Sequence, residues 1–345
     1  MNTESKMILV TGGTGYIGSH TTVALQEKGY EVVIIDNLSN SKIEVLDGIE
    51  KITKKRPVFR NFDLCDKKKV FNFFEEFPYI KAIIHFAASK AVGESVDIPL
   101  EYYHNNIESL VNLLMAMKEY HIHNFVFSSS CTVYGQPDEL PVTEDAPVKV
   151  AMSPYGNTKQ ISEEIIQDAI VAIENINAIS LRYFNPVGAH PSAHIGELPL
   201  GIPLNLVPII TQNVAGVRDK LRVFGSDYST PDGTPIRDYI NVNDLAEAHI
   251  AAVERLTSAT NDKRFEVFNL GTGVGLTVME VIKTFEKATG QKVNYEITDR
   301  RPGDIEKVWA DTSTANKILG WKSKISLEDT LISAWNWEKN IRGIK

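Results

Sequence analysis

The sequence is poor in cysteine, with only Cys65 and Cys131 among its 345 residues. Two cysteines are too few for a disulfide framework and are typical of reduced thiols in a cytosolic protein. A zinc site of the cysteine-rich type lacks its ligands as well. The cysteine count therefore predicts a cytoplasmic protein, and the sequence predicts no metal site.

Long apolar runs and an excess of positive charge are also missing. No stretch approaches the roughly 20 apolar residues that cross a bilayer, and Met1–Lys6 leads directly into the short apolar run Met7–Val10, which is too brief for a signal peptide. Lys and Arg number 36 against 44 for Asp and Glu, so the net charge of -8 repels nucleic acid and anionic lipid. Neither a membrane nor a nucleic acid is an expected partner.

Short β-branched runs alternate with longer amphipathic stretches in the first half of the chain, which is typical of βαβ units. The predicted strands are Met7–Val10, Glu31–Asp36, Val58–Phe62, Ala82–Phe86, Asn124–Ser128 and Ala178–Tyr183, and the clearest helix runs from Leu100 to about Tyr120. This pattern predicts an α/β fold with a Rossmann-type, doubly wound parallel sheet in residues 1–184. Residues 236–270 should return to that domain, and 185–345 should form mainly a smaller α/β substrate-binding domain.

A glycine-rich turn joins the first predicted strand to the first helix. Gly12, Gly15 and Gly18 have the spacing that lets backbone N–H groups approach a pyrophosphate. Asp36 ends the second strand, where a carboxylate accepts hydrogen bonds from an adenosine ribose and repels a 2′-phosphate. The sequence therefore predicts NAD rather than NADP. A second glycine cluster, Gly271–Gly275, has no matching acidic strand end and is interpreted as a turn.

Tyr155 and Lys159 lie four residues apart at the start of a predicted helix, so both side chains face the same way. An adjacent ammonium and a nicotinamide cation both favour the phenolate form of tyrosine, which makes Tyr155 a candidate proton acceptor. The preceding strand ends at the same edge of the sheet with the hydroxyls of Ser130 and Thr132. A Tyr-x-x-x-Lys spacing alone is common, and its position beside this strand end is what favours catalysis.

At these motifs the sequence resembles the extended short-chain dehydrogenase/reductase superfamily and, within it, the UDP-glucose 4-epimerases. The similarity covers nearly the whole chain and is carried by eight segments: Thr11–His20, Asp36–Leu38, His85–Ala87, Lys90–Ser95, Ser128–Ser130, Ser153–Gly156, Arg182–Pro191 and Arg237–Ile240.

The resemblance implies a role for each matching residue. Tyr155 would be the base, Lys159 would hold the nicotinamide ribose and tune Tyr155, and Ser130 would contact the sugar. The residues implied for the dinucleotide, besides Tyr155 and Lys159, are Gly12, Gly15, Tyr16, Ile17, Gly18, Asp36, Asn37, Asn40, Ser41, Asp63, Leu64, Phe86, Lys90, Asn105 and Phe184. Those implied for the UDP-sugar, besides Ser130 and Tyr155, are Thr132, Asn185, Asn205, Leu206, Phe224, Arg237, Tyr239, Arg301, Asp304 and Val308.

The expected activity is reversible 4-epimerisation of UDP-glucose and UDP-galactose through a 4-keto intermediate, with NAD retained and a homodimer implied. Val308 falls where members restricted to these two sugars often carry tyrosine, so UDP-GlcNAc and UDP-GalNAc are further candidate substrates. One alternative is an NDP-sugar 4,6-dehydratase, although dehydratases typically carry Asp-Glu where this chain has Cys131 and Thr132. The other alternative is a non-catalytic dinucleotide sensor.

Other interpretations stay open for three groups of residues. Arg237 could pair with Asp238, and Arg300, Arg301 and Asp304 could form a solvated loop cluster. His190 and His194 have metal-like spacing, but the intervening proline argues against a helix that would bring them together. Cys131 has no catalytic partner nearby in sequence and is interpreted as a packing residue.

Overall fold

The computed structural model describes residues 6–301 and 304–345. The strands are β1 (Met7–Thr11), β2 (Glu31–Asp36), β3 (Val58–Asn61), β4 (Ile80–His85), β5 (Asn124–Ser130), β6 (Asn177–Tyr183), β7 (Asn185–Val187), β8 (Leu221–Phe224), β9 (Ile236–Arg237), β10 (Tyr239–Asn241), β11 (Phe265–Leu270), β12 (Leu276–Thr277) and β13 (Tyr295–Thr298). The α-helices are α1 (Tyr16–Glu27), α2 (Val45–Thr53), α3 (Lys67–Glu76), α4 (Val92–Asp97), α5 (Pro99–Glu119), α6 (Pro154–Ala172), α7 (Leu206–Val214), α8 (Val242–Thr257), α9 (Val278–Thr289) and α10 (Leu327–Arg342).

Seven strands form one parallel sheet in the order β11-β6-β5-β4-β1-β2-β3. The central strands are apolar and almost completely buried, as expected for a sheet covered by helices on both faces. The strand order reverses between β1 and β4, and a crevice opens at such a point beyond the carboxyl ends of the strands. The predicted fold class is confirmed.

The two faces of the sheet carry separate apolar layers. One layer joins β1, β2 and β6 to α1, α2 and α8, and the other joins the opposite face to α3, α5 and α6. Helix α8 packs against α1, and β11 pairs with β6 along its whole length. Residues 242–270 thus return to the large sheet after the chain has left it.

A third apolar cluster lies in the second half of the chain, where α7, α9 and α10 pack together with β8. Among the described residues, three two-stranded sheets lie outside the large sheet and pair β7 with β10, β9 with β12 and β8 with β13. The division of the chain into a dinucleotide domain and a substrate domain stays a prediction. No helix within residues 6–301 and 304–345 is long and apolar enough to cross a membrane.

Candidate active site

Two glycines of the turn after β1 lie where a side chain would not fit. A Cβ at Gly12 would lie 2.7 Å from the backbone nitrogen of Ala87, and Gly12 has φ +69°. A Cβ at Gly18 would lie within 2.2 Å of the Gly12 carbonyl oxygen. Gly15 caps α1 without a side-chain hydrogen bond to the first turn. The leading N–H groups of α1 are thus available to an anion at the positive end of the helix.

Asp36 closes one side of this turn at the end of β2. One carboxylate oxygen accepts a hydrogen bond from the backbone N–H of Thr14 at 3.2 Å, and the other accepts from the backbone N–H of Leu38 at 2.9 Å. The hydroxyl of Ser41 also donates to Asp36 and contacts the Thr14 hydroxyl at 2.7 Å. The carboxylate that was predicted to accept from a ribose is therefore held beside the phosphate turn.

The next strand ends bring further predicted dinucleotide residues together. The side-chain amide of Asn37 donates to the carboxylate of Asp63 at 2.9 Å, which links the ends of β2 and β3. Asn105, on α5, donates to the hydroxyl of Ser89 at 3.3 Å, next to Lys90. Tyr16 donates its hydroxyl to the carbonyl of Gly188 at 2.7 Å, which ties α1 to the loop after β7.

Tyr155 is placed by a well-formed helix start. The hydroxyl of Ser153 accepts a hydrogen bond from the backbone N–H of Gly156 at 3.1 Å, and Pro154 occupies the first helical position. Tyr155 and Lys159 are therefore in the first two turns of α6 and both point toward the end of β5. Both side chains are buried, and the ammonium of Lys159 lies 5.8 Å from the centre of the Tyr155 ring.

Burial dominates the ionisation of this pair. Burial raises the pKa of Tyr155 to about 12, and Ser130 opposes that shift. Burial lowers the pKa of Lys159 to about 8, while the negative charge of Glu163 acts in the opposite direction. The sequence pointed to two positive charges, the ammonium of Lys159 and a nicotinamide cation, and could not show the extent of burial. In the folded chain that ammonium donates to the carbonyl of Ser128 at 2.7 Å, and the enclosed phenol stays protonated at neutral pH.

The strand end supplies hydroxyls beside the phenol. The hydroxyl of Ser130 accepts from the backbone N–H of Thr132 at 3.2 Å, and the hydroxyl of Thr132 is buried without a hydrogen-bond partner. Burial raises the pKa of Cys131 to about 12, so this residue is a neutral thiol at physiological pH. The charges of Arg237 and Asp238 also influence that pKa. The β9–β10 segment therefore lies close to the catalytic strand end.

A cluster of charged side chains faces this strand end from the second half of the chain. Arg237 bonds Asp304 at 2.5 Å, and both side chains are mostly buried. Arg301 approaches the same carboxylate at 3.5 Å and lies over the ring of Phe224 at 5.7 Å. Two guanidinium groups and an aromatic face within one crevice suit a diphosphate joined to a planar base.

The family model described as GDP-mannose 4,6 dehydratase matches residues 9–333 of this chain. The UDP-glucose 4-epimerase of Bacillus subtilis (strain 168) is 50% identical over 339 residues, covering 98% of both chains. Among solved structures, that of the UDP-glucose 4-epimerase from Stenotrophomonas maltophila, with bound NAD and formylated UDP-arabinopyranose, is 46% identical with a TM-score of 0.93, covering 98% of this chain and 99% of that one. The Bifidobacterium longum enzyme in complex with NAD+ and UDP is 45% identical with a TM-score of 0.93, covering 98% of this chain and 100% of that one.

The chain belongs to the UDP-glucose 4-epimerase family. This confirms the resemblance inferred from the sequence. The matching family model is consistent with the extended short-chain dehydrogenase/reductase superfamily. That model carries the name of a dehydratase, the alternative activity. Relatives of about 50% identity over the full chain are epimerases, so the dehydratase alternative is not favoured.

The structure decides between the open interpretations of the second half of this epimerase-family chain. Asp238 does not act as the partner of Arg237. Its carboxylate accepts hydrogen bonds from the backbone N–H groups of Thr272, Gly273 and Ala310 at 2.8, 3.1 and 3.2 Å. The three residues that could have formed a solvated loop cluster are split, because Arg300 pairs with Asp227 at 2.7 Å and Arg301 faces Asp304.

The remaining predicted residues, for the substrate and for the dinucleotide, have defined positions in the fold. The side-chain amide of Asn205 donates to Glu197 at 2.6 Å, immediately before Leu206 begins α7. Asn185 and Tyr239 occupy the paired strands β7 and β10. Val308 is buried in a small apolar cluster that also contains Phe184. Phe86 follows β4, with its ring 4.7 Å from that of His249.

Some features of the site were absent from the sequence interpretation. The most informative is Glu163, which continues the four-residue spacing of Tyr155 and Lys159 along α6. It pairs with Arg182 of β6 at 2.6 Å and accepts from the hydroxyls of Ser129 and Ser180 at 2.6 and 2.7 Å. This repeated spacing was the signal available in the sequence.

The two motifs judged non-functional have ordinary environments. His190 contacts the hydroxyl of Ser192 at 2.8 Å in a turn rather than a helix. The Gly271–Gly275 segment is the loop between β11 and β12. A Cβ at Gly271 would lie 2.3 Å from the Asp238 carboxylate, so the glycine is required for the close approach of that side chain.

Proposed function

We propose that this chain interconverts UDP-glucose and UDP-galactose by inverting the configuration at C4 of the hexose, with NAD held in the crevice. The observation that carries the proposal is the convergence of three features at the carboxyl edge of the sheet. These are the glycine turn after β1, the buried Tyr155 and Lys159 pair, and the Arg237 and Asp304 pair.

The residues of the crevice fit NAD. Gly12 and Gly18 have no room for a side chain, the start of α1 offers unbonded N–H groups, and Asp36 is a carboxylate where a 2′-phosphate would be repelled. Bound there, NAD supplies a reversible acceptor for the hydrogen at C4. The remaining residues predicted for the dinucleotide are proposed in the same role, and residues 1–184 with 236–270 are proposed as its domain.

Tyr155 exchanges the proton of the sugar 4-hydroxyl in this proposal. A phenol whose pKa is about 12 is a weak base at neutral pH, so the reaction requires positive charge near its oxygen. Lys159 is the charge that the protein itself supplies. Ser130 lies beside the phenol and orients the hydroxyl of the sugar, with Thr132 offering a second, unbonded hydroxyl.

Epimerisation requires that the hexose present both faces in turn while the nucleotide stays bound. The charged anchors, Arg237 and Arg301, are proposed to hold the diphosphate, and Asp304 and Phe224 to hold the uridine. The groups proposed for the hexose are mainly hydroxyls. This uneven distribution favours rotation of the sugar, since strong uniform binding of the hexose would resist rotation without lowering the barrier.

The test is conversion of UDP-galactose to UDP-glucose by the purified protein, with Tyr155→Phe compared against Tyr120→Phe. Tyr120 lies at the end of α5, where its hydroxyl contacts Glu75 at 3.5 Å. We expect Tyr155→Phe to lose at least about a hundredfold in kcat while still binding UDP, and Tyr120→Phe to match the parent. Full activity in Tyr155→Phe would remove this residue from catalysis. A 4-keto-6-deoxy product would instead establish the dehydratase alternative.

The wider substrate range is proposed from Val308. Its side chain, only 4% exposed, packs with Phe184 and Tyr134 at the predicted sugar-binding position, where an aromatic ring would fill more of the volume. We propose that UDP-GlcNAc and UDP-GalNAc are therefore also interconverted. Val308→Tyr should lower N-acetyl turnover while the UDP-galactose rate is retained, and equal loss for both sugar pairs would contradict this.

We also propose a homodimer and a cytoplasmic location. Val92, Val96, Ile98 and Leu100 are apolar side chains exposed in succession on α4 and the start of α5, as in surfaces that associate. Cys65 and Cys131 are both free thiols, which suits a reducing compartment.

A further inference from the structure

Three potential metal ligands meet beside the end of β3, away from Tyr155. Cys65 lies in the turn between β3 and α3, while His104 and Glu108 lie one turn apart on α5. The thiol sulfur, an imidazole nitrogen and a carboxylate oxygen all lie within 4.8 Å of one another. His104 Nδ1 and Glu108 Oε2 are 2.7 Å apart. Sequence inspection missed the group, because Cys65 is about 40 residues from the two helical ligands.

This donor set matches the preferences of one common cation. Thiolate, imidazole and carboxylate bind Zn²⁺ at roughly 2.0–2.3 Å, and three protein ligands with one open position are a frequent zinc arrangement. Donor atoms at the separations seen here can surround such an ion after small side-chain rotations. We propose that Cys65, His104 and Glu108 form a zinc-binding site whose fourth position is open to solvent.

The surroundings of the three ligands favour a dication. The side-chain amide of Asn112 donates to the carbonyls of Leu64 and Cys65 at 2.9 and 3.2 Å, which fixes the Cys65 turn against α5. The carboxylate of Asp63 accepts a hydrogen bond from the backbone N–H of Cys65 at 2.8 Å, so it adds negative charge close to the three ligands. The side chain of His104 is 68% exposed and that of Glu108 43% exposed, so an ion reaches the site without any opening of the fold.

Metal binding at this site releases a proton. Zinc binds cysteine as the thiolate, so the proton of the Cys65 thiol passes to solvent and the apparent affinity should increase with pH. The carboxylate of Glu108, itself one of the three ligands, adds negative charge that attracts the incoming cation.

The experiment uses the full chain without a histidine tag. Zn²⁺ binding is measured by equilibrium dialysis, and Co²⁺ is used as a spectroscopic probe, since cobalt–thiolate ligation produces a near-ultraviolet charge-transfer band. We expect one ion per chain, together with that band. Cys65→Ser should abolish the band, and His104→Asn or Glu108→Gln should weaken Zn²⁺ binding by about tenfold or more. Cys131→Ser and Glu119→Gln are the matched controls and should bind as the parent does.

The proposal is overturned if the parent shows no stoichiometric binding, or if Cys65→Ser binds Zn²⁺ as tightly as the parent. Loss of the cobalt band in Cys131→Ser, with the band retained in Cys65→Ser, would also overturn it. The thermal unfolding midpoint without metal shows whether each variant folds. If Cys65→Ser fails to fold, Cys65→Ala and the His104→Asn variant carry the test. All these readouts are independent of epimerase activity.

Discussion

The two walls of the crevice are built differently. On the wall formed by β5, β6 and α6, Glu163 and Arg182 form a buried ion pair, and the Glu163 carboxylate also accepts hydrogen bonds from two serine hydroxyls. Both members of the pair lie on regular elements, α6 and β6. On the opposite wall, Arg237 Nη2 and Asp304 Oδ1 form an ion pair at 2.5 Å. Arg237 lies on a two-residue strand and Asp304 lies on a loop. Arg301 on that wall is more than half exposed.

This difference suggests a division of labour. Groups proposed to hold a proton in one position are carried on regular elements of the large sheet, where packing restricts movement. Groups proposed to bind the nucleotide are carried on loops, where an ion pair within the protein can be exchanged for one with a ligand. Substitutions in the first wall should therefore alter ionisation and stability, and substitutions in the second should alter the affinity for the nucleotide.

The largest expected effect comes from breaking the Glu163 pair. Glu163→Gln leaves the buried Arg182 without its counter-charge and should lower the free energy of unfolding by about 3 kcal/mol or more. The matched control is Glu266→Gln, which breaks a similarly buried pair with Arg255. That pair lies at the start of β11, at the opposite edge of the sheet from the crevice. Arg255 keeps a second partner in Asp262 at 3.2 Å, so urea unfolding should show a smaller loss for Glu266→Gln than for Glu163→Gln.

The two variants should differ in their pH profiles. Glu163 opposes the effect of burial on the pKa of Lys159, so its removal lowers that pKa further below about 8. Log kcat/KM of Glu163→Gln should therefore begin to fall at a lower pH than in the parent, whereas Glu266→Gln should follow the parent. Identical profiles in both variants would assign Glu163 a structural role only.

The next expected effect tests the second wall. Arg237→Ala removes a guanidinium proposed to contact the diphosphate, and a hydrogen bond to a charged group contributes about 1.5–3 kcal/mol. We expect KM for UDP-galactose to rise roughly tenfold to a hundredfold, with kcat changed much less. Arg56→Ala, which removes an exposed arginine paired with Asp47, is the control. A lower kcat with unchanged KM would contradict the proposed division.

The smallest expected effect is the pH dependence of the parent. The pKa of Lys159 is lowered to about 8, so its ammonium is present below that pH and is lost as the pH rises through it. Because the proposed role requires the ammonium, log kcat/KM should decline above about pH 8, approaching a tenfold loss per unit. Rates measured from pH 6 to 10 check this, and a level profile to pH 10 would argue against a need for the charge.

Much of the large sheet could be predicted from the sequence because its strands are continuous apolar runs separated by helices. The predicted strand Glu31–Asp36 matches β2, and the helix predicted from Leu100 to about Tyr120 corresponds to α5. The end of β5 was less predictable. The strand was predicted to end at Ser128 but continues to Ser130, because pairing with β6 and packing under α6 bury the last serines. The polarity of a serine run does not predict that it will be buried.

The site could be predicted where local motifs carry it and not where distant segments meet. Tyr155, Lys159 and the glycine turn belong to motifs with fixed spacing, so they can be recognised in the sequence alone. The pairing of Arg237 with Asp304 joins positions 67 residues apart, and the adjacent Asp238 was a plausible partner until the fold placed it elsewhere. The burial of Tyr155 could not be predicted either, because sequence spacing reveals neighbouring charge but not the extent of burial.

The carboxylate of Asp238 fastens three distant stretches of chain, since it accepts from Thr272 and Gly273 on one side and from Ala310 on the other. Segments around the crevice that are far apart in the gene are thereby mechanically linked. Exchanging the 304–310 loop to redesign sugar preference would also disturb the 271–275 loop, so the two are best transplanted together, with Asp238 retained as their common anchor.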